Sequence, residues 1–167
     1  MDFGAAEAWI DLHRGFFSLQ IVVAVICGAI VGVERQLRNK AIGIRTSIMI
    51  CLATQVFVRL GGELAASETV ADPTRVLGQV VTGVGFLGAG VILSKGGAIT
   101  GVTSAAVVWM LAAIGSTIGA GRPTEALGLS ISVVAILITV RRAEGAFKRL
   151  GGGSDEPDST EDNRPTF

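Results

Sequence analysis

Side chains able to catalyse a reaction or hold a metal are few and scattered in this chain. Its single histidine, His13, lies near the N-terminus, and both cysteines, Cys27 and Cys51, lie inside apolar stretches. No nucleophile stands beside a base, no carboxylates pair, and no His/Cys spacing resembles a metal site, so the chain is expected not to be an enzyme and to carry no organic cofactor. Two acids stand out. Glu34 closes an apolar run in Gly32-Val33-Glu34-Arg35-Gln36. Either it forms an i,i+4 ion pair with Arg38, worth about 0.3–0.5 kcal/mol on an exposed helix, or it offers a carboxylate at the mouth of a bundle to another helix or a cation. Asp72 opens Asp72-Pro73-Thr74-Arg75, the pattern of an N-cap followed by proline at the first helical position. It is expected to cap a helix. With Glu68 nearby it is also a weak magnesium candidate, since that ion takes a few carboxylate oxygens and keeps its waters. Asp72 and Glu34 are therefore the metal candidates, with Mg²⁺ as ligand or substrate.

Gly83-Val84-Gly85-Phe86-Leu87-Gly88 matches the G-x-G-x-x-G dinucleotide fingerprint letter for letter. That fingerprint needs a preceding strand and an acid some 20 residues later to hold the ribose. Here no acid occurs between Asp72 and Glu125, and the string lies within an uncharged apolar run. It is better read as a packing surface.

The elements that carry these residues follow from composition. Of 167 residues, 50% are hydrophobic and 17% charged, with a net charge of zero and 23 glycines. Soluble domains carry about 25% charged residues and ~7% glycine. The chain is too apolar for disorder, too poor in charge for nucleic acid, and too poor in cysteine for a disulfide scaffold. Crossing about 30 Å of hydrocarbon takes about 20 apolar residues in a helix. Five stretches approach that length: residues 16–33, 46–60, 76–94, 102–120 and 126–140. The expected fold is all-α, a polytopic transmembrane bundle of about five spans, with four plus a re-entrant segment as the fallback. Arg35, Arg38, Lys40, Arg45, Lys95, Arg141, Arg142, Lys148 and Arg149 share one side, against Arg14, Arg59, Arg75 and Arg122 on the other. The positive-inside rule then puts the N-terminus outside and the C-terminus in the cytoplasm. Three regions are expected: residues 1–15, an external segment that is either a frayed terminus or an interfacial helix; 16–145, the membrane domain; and 146–167, a disordered acidic cytoplasmic tail.

Lipid tails give apolar helices no hydrophobic reason to associate, so association rests on close backbone approach and interhelical hydrogen bonds. Gly28, Gly32, Gly83, Gly85, Gly88, Gly90, Gly115 and Gly119 are the expected packing residues, in a bundle centred on spans one, three and four. Leucine at Gly85 and Gly88 is expected to prevent stable accumulation. The alternative is that the glycines line a permeation path or unwind a helix around an ion. Thr82, Thr103, Ser104, Ser116 and Thr117 are positioned to bond across helices. Gln55 and Gln79, costly to face lipid, are expected to point inward, either to each other or into a polar pocket with Asp72.

Several strings are specific enough to resemble a known family: Gly28…Gly32-Val33-Glu34-Arg35-Gln36; Ile42-Gly43-Ile44-Arg45-Thr46; Asp72-Pro73-Thr74-Arg75; Gln79-Val80-Val81-Thr82-Gly83-Val84-Gly85-Phe86-Leu87-Gly88-Ala89-Gly90; and Gly101-Val102-Thr103-Ser104-Ala105-Ala106 with Trp109 and Gly115. Together they resemble the MgtC/SapB family of bacterial inner-membrane proteins. The resemblance makes Glu34, Arg35, Arg45, Asp72, Arg75, Gln79, Thr82 and Thr103 the polar candidates for function. It implies a multi-pass protein, in contact with membrane lipids, linked to growth at low magnesium and, in pathogens, to virulence. Two modes of action follow: modulation of other inner-membrane proteins, such as the ATP synthase, through helix contacts, or transport of magnesium or another divalent cation. Self-association is a further expected contact, and nucleic acid is not. Many members continue into a cytoplasmic ACT-like domain, where this sequence has a short acidic segment. Thr103 stands where some virulence-associated members have asparagine, and Met110 where some have cysteine. Carriers usually hold ionisable groups near the membrane midplane, at about 2.5–3.5 kcal/mol each. None of the five stretches has one, which favours the modulator.

Overall fold

Five helices follow one another in the computed structural model: α1 (Phe3–Leu37), α2 (Ile44–Ala66), α3 (Thr74–Ala89), α4 (Val102–Gly119) and α5 (Pro123–Gly151). The structure describes residues 3–66, 72, 74–95 and 98–151, and side chains within 17–66, 72, 74–92 and 99–146. The expected disorder of the tail lies outside these residues from position 152 onward, and so does Glu68. Two compact units divide the chain, residues 1–134 and 135–167, and α5 belongs to both. In the second unit α5 runs on to Gly151, past the boundary expected at 145, with Ile136, Val140, Arg141 and Arg142 all exposed. No break separates residues 3–15 from the first span, since α1 is continuous from Phe3.

Within the first unit α1 to α4 run successively antiparallel. At one end Arg35, late in α1, meets Ser104 in the first turn of α4, while Gly32 backs onto Ile44 at the start of α2. At the other end Gln20 of α1 reaches Ile118, late in α4, and Arg59, late in α2. α3 passes between the same two levels: Gly61 lies on Val76, and Gly88 faces Ala105. Between the ends the core is apolar, with Ala24, Cys27 and Val31 from α1, Ile50 and Cys51 from α2, and Val108, Leu111 and Ile114 from α4. Both cysteines are free and buried.

Four helical segments are long and apolar enough to cross a membrane: Phe17–Leu37, Ile44–Ala66, Val102–Gly119 and Pro123–Ala146. Large apolar side chains stay exposed around the bundle, among them Leu19, Val22, Met49, Phe57, Trp109 and Ile131. Such a surface suits lipid rather than water. α3 is shorter than the 19-residue run read from the sequence. Its 16 residues rise about 24 Å at 1.5 Å each. Gly88 and Gly90 weaken its end, and Val91 and Ile92 close turns onto the carbonyls of Gly88 and Ala89 at 3.1 Å. The chain then forms a short antiparallel ribbon, Leu93–Lys95 with Ala98–Thr100, which the all-helical expectation lacked.

The centre of the bundle is α2, not the expected trio of spans one, three and four. α2 packs most extensively on α1 and on α4. Glycine makes both contacts: a Cβ at Gly28 would stand 2.6 Å from Ile48 Cα, and one at Gly119 would stand 2.5 Å from the Gln55 carbonyl. A Cβ at Gly115 would strike Thr54 Oγ1 and the Cys51 backbone. Gly83 and Gly85 differ. A Cβ at either meets nothing within 4 Å, so the packing expected of them is not made within this chain, and the reason to expect leucine at Gly85 to unfold the protein disappears. At Gly88 a Cβ would make ordinary contact with Ala105, 3.7–4.0 Å away, and at Gly90 the nearest atom is the Leu87 carbonyl at 3.4 Å.

Candidate functional site

Polar side chains collect at the two ends of the first unit, and the third feature of note is the open side of α3. At the first end, Arg35 is 2% exposed and one of its Nη atoms donates to Ser104 Oγ. The neighbouring Glu34 pairs with Arg38, Oε1 to Nε at 3.3 Å, which is the helical ion pair weighed from its spacing. Gln36 Oε1 accepts the Ile44 amide at 3.3 Å and so ties α1 to the start of α2. Asn39, in a left-handed conformation at φ 52°, turns the chain between them. Arg45 and Thr103 are exposed at this end.

The second end centres on Gln20, a residue the sequence reading passed over. An amide inside an otherwise apolar run was the available signal. Gln20 is 1% exposed and holds three helices together: Nε2 donates to the Ile118 carbonyl at 3.0 Å, while Oε1 accepts from Gln55 at 3.2 Å and Arg59 at 2.8 Å. Arg59 also binds Glu63 at 2.7 Å and lies 4.8 Å above the Phe17 ring. Above this network opens a cleft of about 960 Å³ lined by Gln20, Arg59, Glu63, Thr74, Arg122 and Glu125. Gln55 points inward as expected, but its partner is Gln20. Gln79 corrects the other half of that expectation: it is exposed on α3 and lines an apolar groove of about 500 Å³ against α2, with Phe57, Val76, Gly83 and Leu87.

Asp72 caps α3. Its Oδ1 accepts the Thr74 amide at 2.9 Å and the Thr74 hydroxyl at 2.7 Å. Those two bonds hold its carboxyl below the usual range, with Arg75 assisting. Asp72 and Glu34 belong to opposite ends of the first unit, so they do not share an ion. Among the described residues no group of three or more His, Cys, Asp or Glu converges. Arg75 is exposed beside the cap, and Thr82 turns its hydroxyl back to the Gly78 carbonyl at 3.0 Å.

The α3 surface is thinly covered. Val84 and Gly88 are its buried residues, while Leu77, Val81, Phe86 and Leu87 are exposed, Phe86 by 81%. Gly78, Gly83 and Gly85 all have open space where a side chain would be. A bare helix with small residues and two exposed polar side chains, Gln79 and Thr82, is a surface on which another helix can pack closely.

The sequence profile of the MgtC family matches residues 21–146. YhiD of Escherichia coli (strain K12), provisionally named a magnesium transporter, is 42% identical over 123 residues, 71% of this chain and 56% of its own length. Protein MgtC of Salmonella typhimurium (strain LT2) is 35% identical over 135 residues, 80% of this chain and 56% of its own. An uncharacterised protein of Haemophilus influenzae is 40% identical over 136 residues, 77% of this chain and 56% of its own. The chain thus spans little more than half the length of these relatives. No solved structure matches.

Proposed function

The chain belongs to the MgtC family, and on that premise we propose that it is a multi-pass protein of the bacterial inner membrane that helps cells adapt to scarce magnesium by binding other membrane proteins. The magnesium link comes from the name carried by YhiD. The observation that supports binding as the mode of action is the bare side of α3, where Gly78, Gly83 and Gly85 leave room for a second helix and Phe86 projects from it. The partner is a membrane protein that offers a close-packing helix; the ATP synthase and a second copy of this chain are both candidates. No catalytic step is assigned to the protein. The orientation follows the distribution of arginine and lysine, with the Arg35 end in the cytoplasm.

Transport is the second reading, favoured by the cleft above Gln20 and Arg59. Against it stands the interior. Arg35, at one end, is the one charged side chain among the buried described residues, and nothing ionised lies between it and Gln20. Magnesium flux into liposomes containing only this protein separates the two readings. Uptake no faster than in protein-free liposomes supports binding. Robust uptake that Glu63→Gln or Asp72→Ala abolishes would establish a carrier instead.

A further inference from the structure

A buried guanidinium with an unmet donor, Arg35 Nε, stands beside an uncapped helix end. Arg35 is 2% exposed, yet its Nε has no hydrogen-bond partner and one Nη donates to the neutral hydroxyl of Ser104. The adjacent acid attracts it through space but makes no hydrogen bond to it: Glu34 gives Oε1 to Arg38, and its Oε2 is unpartnered. A charge held out of water with a hydroxyl as its partner is costly unless an anion completes its shell. Ser104 belongs to the first turn of α4, an 18-residue helix. That helix starts from Gly101 in a left-handed conformation, φ 93°, and no side chain caps it. None can be placed there, because a Cβ at Gly101 would strike the Val91 carbonyl. The fold therefore leaves the positive end of the α4 dipole without a side-chain cap and sets a guanidinium against it. Helix N-termini and arginine forks both bind phosphate oxygens, the first through backbone amides and the second through paired N–H donors. Arg38, Lys40 and Arg45, all exposed at the same end, add attraction for an anion.

We infer that Arg35 and the first turn of α4 form a binding site for one phosphate-type oxyanion, carried either by a lipid headgroup or by free phosphate. This site is at the opposite end of the unit from the cleft and does not depend on the α3 proposal. The test uses the full chain. In detergent, sodium phosphate is titrated against sodium chloride of equal ionic strength; in nanodiscs, phosphatidylglycerol is titrated into phosphatidylcholine. Thermal unfolding is followed in both. A saturable rise in Tm is expected, with free phosphate if the ligand is the soluble anion and with phosphatidylglycerol alone if it is a headgroup. Arg35→Gln and Thr103→Asp should weaken the saturation midpoint about tenfold or more, the loss that goes with removing a charge-assisted bond. Thr103 is exposed, so that variant decides the matter if Arg35→Gln fails to fold. No saturable shift from either source, or an undiminished shift in Thr103→Asp, would overturn the site.

Discussion

Thr74 donates both its amide and its hydroxyl to one oxygen of Asp72, and this depresses the carboxyl's pKa in the folded protein. A depressed carboxyl stabilises the fold above its unfolded value, about 3.9, and that contribution is lost as pH falls through the lower folded value. Asp72→Asn should therefore lower Tm at neutral pH, and the difference from the unmodified chain should close below about pH 4. Thermal unfolding across pH measures it, and a difference independent of pH would contradict the capping account. Gln20 sets a second residue-scale expectation. Gln20→Leu removes the acceptor shared by Gln55 and Arg59 and should cost about 1–3 kcal/mol, as expected for orphaned buried donors. The double variant Gln20→Leu/Gln55→Leu should cost less than the sum of the singles, because Gln55 Nε2 donates to Gln20 Oε1 and removing both leaves no orphan of that bond. Asp72 was legible because a cap is local: Asp-Pro-Thr fixes both partners within three residues. Gln55 and Gln79 look alike in sequence, and which of them turned inward depended on partners 35 residues away and beyond.

Among the elements, spacing identified small faces but not what they touch. Gly28-xxx-Gly32 and Gly85-xxx-Ala89 are equivalent patterns, yet the first presses on the α2 backbone and the second meets open space. The difference lies in α2, whose central place no periodicity reveals. Gly28→Ala should destabilise the protein by about 1–3 kcal/mol, since backbone atoms of Ile48 cannot move as a side chain would. Gly85→Ala should be neutral or stabilising by up to about 1 kcal/mol, the gain in helix propensity. Unfolding of the purified variants in one detergent compares them; equal losses at both positions would contradict the assignment of faces. The end of α3 was the element least legible in the sequence. An uncharged apolar run hid the point where glycines stop the helix and a ribbon begins, because apolar composition suits helix and strand alike.

For the whole molecule, the neutral total conceals an uneven distribution. Residues 151–167 carry five acids and one arginine, and the basic residues gather at the Arg35 end and in the C-terminal part of α5. A single cysteine at Lys40, in a chain with Cys27 and Cys51 changed to serine, should react with an impermeant maleimide only from the cytoplasmic side. Labelling from outside would reverse the orientation. The membrane character and the helical fold were readable from composition and run length alone, because the bilayer demands both; the span count was not, since α3 is not among the four segments of spanning length. The mode of action was not, since it turns on a surface that is visible only once the other helices have been placed. That surface gives the most direct test of the central proposal. In cells lacking their own copy, growth at low magnesium is measured with the unmodified chain and with Gly85→Leu, and membrane abundance is quantified in the same cultures. The account predicts normal abundance of the variant and loss of growth support. Growth equal to that with the unmodified chain, at equal abundance, would contradict it.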